Sequence, residues 1–180
     1  MNQMVLSGAV VLALSAAPAF AQTTKSMAAN APADQAFVRK AAEGGMAEVE
    51  LGKLAQEKGS SADVKTFGQR MVDDHSKAND ELKSIAQSKN ITLPTNLNAK
   101  DKALRGRLEK LSGPAFDRAY MQAMVKDHRA DVNEFRHESK AGADADVKAF
   151  AAKTLPTLED HLKLAQDANR AVGTSGTMKK

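Results

Sequence analysis

Three of the four histidines in this 180-residue chain directly follow an aspartate, as Asp74-His75, Asp127-His128 and Asp160-His161. Side chains three or four positions apart share one face of a helix, and each of these histidines falls within such a series of apolar residues. His75 stands between Met71 and Ala78, His128 between Met124 and Val132, and His161 between Leu158 and Ala165. Glu48 occupies the same kind of place in a fourth series, between Gly44 and Leu51. Neutral imidazole offers a lone pair and carboxylate a negative oxygen, and both aimed into a helical bundle suit zinc, iron, manganese or copper. Glu48, His75, His128 and His161 are therefore the candidate ligands of one divalent metal ion, with Asp74, Asp127 and Asp131 beside them.

A plainer reading stays open. Each imidazole could hydrogen-bond a neighbouring carboxylate near the core boundary, with the preceding aspartate facing water, and a single histidine on such a face is more often of that kind. Recurrence on three separate helical patterns is what brings the metal reading forward. His137 flanks no comparable stripe and is expected to be exposed. Met46, Met71, Met121 and Met124 stand at helical spacing and read as core filler rather than soft copper ligands.

Several chemistries are excluded. The chain has no cysteine, so disulfides, thiolate metal sites, iron–sulfur clusters and thiol catalysis are out. It carries no nucleophile elbow, phosphate-binding glycine loop or His-Glu-x-x-His pair, so no catalytic residue is assigned and an enzyme is not the expectation. The net charge of +4 comes from interspersed basic and acidic residues, as on solvated helix faces. The densest basic stretch, Lys100, Lys102, Arg105, Arg107 and Lys110, also holds Asp101 and Glu109 and has no aromatics for base stacking. Nucleic acid is thus not an expected partner; the stretch reads as an exposed connector, with an anion- or lipid-binding patch as the alternative.

The elements that must position these residues are helical. Six Phe, one Tyr and no Trp stand against abundant Ala, Leu, Met, Lys and Glu, a composition that favours helices over strands. The pattern predicts a first helix from Asp34 to Lys58, stopped at Gly59, and a second from Ser60 or Ser61 to about Lys89, with those serines and Asp63 supplying capping oxygens. Leu93-Pro94 marks a loop. A short helix over Ala99 to Leu111 follows, then a third long helix closed by Gly142, and a fourth from Asp144 to Val172 that Pro156 should bend or open. Ala62-Asp63-Val64-Lys65-Thr66-Phe67 recurs as Ala145-Asp146-Val147-Lys148-Ala149-Phe150, and the same offset, without gaps, aligns Gly59 with Gly142 and Phe37 with Tyr120. Each half is one helical hairpin with an apolar stripe it cannot bury alone, so two hairpins packed about a pseudo-twofold axis are expected, as an all-α four-helix bundle with a short connector helix. Connector and loop are long enough to cross most of the bundle, which favours the long-crossover topology of ferritin-like folds over simple up-down-up-down. At 1.5 Å per residue, Glu48 lies roughly 17 Å and His75 roughly 23 Å from the first turn, and His128 roughly 22 Å and His161 roughly 28 Å from the second. His75 and His128 are the closest pair in level if the turns share an end, Glu48 and His128 if the turns lie at opposite ends. Gly44-Gly45, at the same level, implies a close helix approach or room for a ligand.

At the amino end, Val5 to Leu14 is an apolar run too short to span a bilayer, and Ala19-Phe20-Ala21 supplies a small-x-small cleavage pattern. Residues 1–21 are therefore read as a signal peptide, although Met1 to Met4 carries no Lys or Arg and an uncleaved anchor is the alternative. Residues 22–33 read as a disordered tail, 34–172 as the bundle, and 173–180 as a frayed tail. The expected location is the periplasm, with outer-membrane association open.

Phe67-Gly68-Gln69-Arg70-Met71-Val72-Asp73-Asp74-His75-Ser76, continuing through Asn79-Asp80-Glu81-Leu82, resembles the bacterial exported family called domain of unknown function 4142. Phe37, the stretch Gly45 to Gly52, Phe116-Asp117, Tyr120, Asp127-His128, Thr154-Leu155-Pro156 and His161-Leu162 look like its other landmarks, over about residues 34 to 170. The resemblance implies a ferritin-like bundle, often labelled a putative outer-membrane or periplasmic protein, with no established reaction. One departure matters: di-iron ferritin-like proteins use Glu-x-x-His, whereas Val72, Val125 and Leu158 stand three before the histidines here. The function expected is a periplasmic binding or stress-protective module that could hold a metal ion in its core. A metal-dependent redox protein and an envelope-associated structural protein are the alternatives, in a monomer or homodimer.

Overall fold

The computed structural model describes residues 32–175, and these form five helices with no strand among them. The helices are α1 (Pro32–Lys58), α2 (Ala62–Ser88), α3 (Ala99–Leu108), α4 (Gly113–Ala141) and α5 (Ala145–Ser175). The protein is an all-α bundle of four long helices and a short connector helix. The signal peptide expected at 1–21, most of the 22–33 tail and the last five residues of the chain lie outside the described residues. At the carboxyl end α5 runs to Ser175, so residues 173–175, expected in the frayed tail, are helical.

Contacts between the hairpins fix the topology. Phe37 packs edge-on to Phe135 at 4.9 Å near one end of the α1/α4 pair, while the backbone amides of Ser60 and Ser61 donate to Asp117 at the other. Helices α1 and α4 are therefore antiparallel. The same holds for α2 and α5, where Lys89 bonds Asp146, Lys153 bonds Glu81 and His161 bonds Asp74 in steadily shifting register. The two hairpin turns thus lie at opposite ends, and residues 89–112 must travel the length of the bundle. On the way Asn98 caps α3 and approaches Glu43, Lys100 reaches Asp127, Arg105 reaches Glu50, and Leu108 is buried. The basic connector therefore sets Lys100 and Arg105 against bundle acids.

Two local expectations are corrected. Ser61 occupies the N-cap of α2 but makes no side-chain cap bond. Buried Asp117 on α4 instead accepts from the Ser60 amide, the Ser60 hydroxyl and the Ser61 amide at 3.0, 2.5 and 2.9 Å. A carboxylate from another helix thereby satisfies donors that the first turn leaves orphaned. Helix α5 also continues through Pro156 without the opening its missing amide suggests. Pro156 and Ala152 are both exposed, so water can serve the carbonyl left without its helical partner.

The core divides into two apolar clusters. One, around the first turn, holds Leu51, Phe67, Met71, Phe116, Met124 and Ala165; the other, around the second turn, holds Phe37, Leu82, Val132, Phe135, Phe150 and Leu158. On every long helix one ionisable residue falls between them: Glu48 on α1, His75 on α2, His128 on α4 and His161 on α5, none more than 7 % exposed. The bundle is interrupted at mid-height by a buried polar layer.

Candidate metal centre

The layer exists because four amphipathic helices each place one polar residue in an otherwise apolar stripe, and antiparallel packing brings those residues to one level. The ring centroids of His75 and His161 are 5.4 Å apart, those of His128 and His161 5.4 Å, and those of His75 and His128 5.9 Å. Each offers a nitrogen within 4.8 Å of the other two.

Hydrogen bonds set the tautomers of two of the rings. The Nδ1–H of His128 donates to the Met124 carbonyl at 3.0 Å, leaving Nε2 as the lone-pair nitrogen, buried and without a protein partner. The Nε2–H of His161 donates to Asp74 at 2.9 Å, leaving Nδ1 in the same condition. His75 keeps an unpartnered, buried Nε2. Burial pushes the proton affinity of all three rings down, helped by neighbouring imidazoles at His75, which lies well below its usual range, and by His161 at His128, which falls to about 4; at His161 burial and the Arg70 charge lower it against the Asp74 bond. The rings are therefore neutral at pH 7, the form that binds metal. At Asp74 burial raises the pKa, but the bonds from His161 and Arg70 outweigh it and hold this carboxylate below its usual range.

Glu48 does not join the three rings. Its fully buried carboxyl groups with Asp127 and Asp131 of α4, one oxygen from each lying within 4.8 Å of the others. Neither Glu48 oxygen makes a hydrogen bond of ordinary length and angle, although the Asp127 carboxyl is close enough to interact with it, and its Oε1 lies 3.7 Å from Nδ1 of His128. This is the Glu48–His128 proximity that opposite-ended turns require. Burial, then the charges of Asp127 and Asp131, raises Glu48 well above its usual pKa; burial and Asp127 raise Asp131 to about 7.

The seven residues singled out in the sequence thus converge, but as two sets back to back and not as one. His75, His128 and His161 form a nitrogen set with Asp74 behind it, and Glu48, Asp127 and Asp131 form an oxygen set. The Asp-His pairs do not act as pairs: Asp74 bonds the histidine of another helix, Asp127 turns to Glu48, and Asp160 is 70 % exposed. His137 is exposed, as its position outside the stripe predicts. Tyr120 is legible in the sequence only as a core residue, yet its hydroxyl is buried without a partner, and burial together with Glu48 raises its pKa. Of the Gly44-Gly45 pair, Gly45 is the one at a close approach, since a Cβ there would collide with the Asn79 side chain of α2, whereas one on Gly44 would meet open space; a second approach, backbone to backbone, falls at Gly52 and Gly68, where a Cβ on Gly52 would stand 2.6 Å from the Gly68 carbonyl oxygen.

Residues 19–168 match the profile of a family described as a domain of unknown function, DUF4142. No curated protein and no solved structure matches the chain.

Proposed function

Because the chain belongs to the DUF4142 family, a description that names no reaction, we propose a function from the site itself: a binding module that holds one divalent transition-metal ion in its core through His75, His128 and His161. The observation that carries this reading is the presence of three buried imidazoles on three helices, each keeping a nitrogen with no protein partner and each offering a ring nitrogen within 4.8 Å of the other two. Buried polar atoms are ordinarily satisfied, and three buried ring nitrogens here have no protein partner to satisfy them. A metal ion satisfies all three at once. Imidazole nitrogens suit zinc, copper, nickel or iron. Two nitrogens on one zinc lie no more than about 4.2 Å apart at bond lengths of about 2.1 Å, so a small inward rotation of the rings gathers them. Asp74, bonded to the far nitrogen of His161 and itself held by Arg70, is the outer carboxylate that commonly orients a metal-bound histidine.

Export to the periplasm belongs to the same proposal and rests on the Val5–Leu14 run and Ala19-Phe20-Ala21. No described helix is long and apolar enough to cross a membrane.

Calorimetric titration of chelator-treated full-length protein with Zn2+ and with Cu2+ tests the reading. The expected result is one ion per chain, lost in His75→Ala, His128→Ala and His161→Ala variants whose circular dichroism remains helical. Unchanged stoichiometry in all three variants, or no binding by the parent, removes it.

A further inference from the structure

We propose that Glu48, Asp127 and Asp131 form a second cation site, distinct from the imidazole set and selective for a hard, oxygen-seeking divalent cation. Glu48 on α1 faces Asp127 and Asp131, one turn apart on α4, with an oxygen of each within 4.8 Å of the others. An acidic cluster alone would not carry this. The second observation is Glu48 itself: it is 0 % exposed and neither of its oxygens makes a hydrogen bond of ordinary length and angle.

The surrounding charges do not balance the cluster. Lys100 reaches Asp127 at 3.3 Å from a side chain that is 73 % exposed. Lys40 is held by Glu134 at 2.5 Å, and buried Asp101 adds negative charge on the connector side. His128, the one ring beside Glu48, gives its Nδ1–H to Met124. A bound cation supplies what these neighbours do not. The donor set is all carboxylate, which suits magnesium, calcium or manganese, in contrast to the all-nitrogen set behind it. A narrow cavity of about 30 Å³ touches the cluster at Asp131, among Lys40, Gly44, Gly45, His75 and Glu134.

The inference goes beyond the imidazole reading and stands or falls separately. Mn2+ is the probe, with loss of its free aqueous electron paramagnetic resonance signal reporting binding, on full-length protein both metal-free and preloaded with one Zn2+. The expected result is one Mn2+ per chain in both samples, with affinity reduced about tenfold or more in Asp127→Asn, Asp131→Asn and Glu48→Gln and unchanged in His75→Ala. These amide variants keep side-chain shape, and circular dichroism confirms their folding. Absence of Mn2+ binding, which would mean carboxyls that merely share protons, overturns the proposal. So does Mn2+ binding that survives all three substitutions. Zn2+ binding without Mn2+ leaves only the imidazole site, and Mn2+ binding without Zn2+ leaves only this one.

Discussion

His161 is held by a contact that no local sequence pattern announces, the bond from its Nε2–H to Asp74 across the α2/α5 interface. Replacing that carboxylate by the amide in Asp74→Asn keeps the shape but removes the charge that stabilises the metal-bound ring. Metal affinity should fall roughly 10- to 100-fold, with helicity retained, as outer-sphere substitutions commonly do; equal affinity would show that Asp74 serves only Arg70. The three rings also predict a pH dependence for the metal-free protein. Their folded-state pKa values lie below the ordinary 6.5, so the unfolded chain takes up protons first as the pH falls. Their contribution to stability is complete above about pH 6.5 and is lost progressively towards the folded value, about 4 for His128. The raised carboxyls Glu48 and Asp131 add stability over the same window as the pH falls, so the rings show in the difference: urea midpoints from pH 7.5 to pH 4.5 should change less favourably on acidification in the parent than in His75→Leu, which removes one titrating ring. Parallel curves for parent and variant would contradict the buried neutral state of His75.

Among the elements, the α1/α2 hairpin depends on small residues at one crossing. A Cβ on Gly68 would stand 2.8 Å from both the Ala55 Cβ and the Gly52 carbonyl oxygen, and neither can yield without separating the helices. Gly68→Ala is therefore expected to destabilise by about 1–3 kcal/mol in urea titration. Gly44→Ala should do the reverse, stabilising by about 0.5–1 kcal/mol, since the position is helical and its added methyl meets nothing within 4 Å. Equal effects of the two substitutions would deny the close approach. The sequence points to Gly44-Gly45 because adjacent glycines stand out in a helix. Gly52 and Gly68, each alone among good helix formers, become informative only when the facing backbone is known. Capping follows the same logic: Ser60, Ser61 and Asp63 carry the local signature, but Asp117, far along the chain on α4, does the capping. Asp34 does the same at the second turn, accepting from the amides of Ala143 and Asp144. The offset that carries Asp34 onto Asp117 also carries Ser60 onto Ala143, so the recurrence seen in the sequence returns as a recurrence of contacts.

For the whole molecule, the polar layer is a weakness that a bound ion would relieve. Buried imidazoles and carboxyls interrupt what would otherwise be one continuous apolar core, at a cost in desolvation that the two flanking clusters must offset. An ion that binds the folded layer and not the open chain stabilises by mass action, about 2.7 kcal/mol at a free concentration 100 times its dissociation constant. The melting temperature should accordingly rise by several degrees when Zn2+ is added to the chelator-treated protein and return when it is withdrawn. No rise at saturating Zn2+ would mean that binding, if any, occurs outside the core. The internal recurrence stops short of the site: the repeat pairs His128 with Gly45, His161 with Ala78 and His75 with Leu158. The nitrogen set is thus an asymmetric feature set into a repeated frame.

The sequence by itself determined the helices, their apolar stripes and the level at which the polar residues sit. Those follow from the helical period, the turn residues and the constant rise per residue, all local properties of the chain. It also singled out the residues that gather in the two clusters. Only the tertiary structure decided how they divide. Whether Glu48 faces the imidazoles or Asp127 and Asp131 depends on the antiparallel register of α1 against α4 and on which ring nitrogen each backbone carbonyl or carboxylate occupies. Those are contacts between residues far apart along the chain, and no periodicity within one helix encodes them.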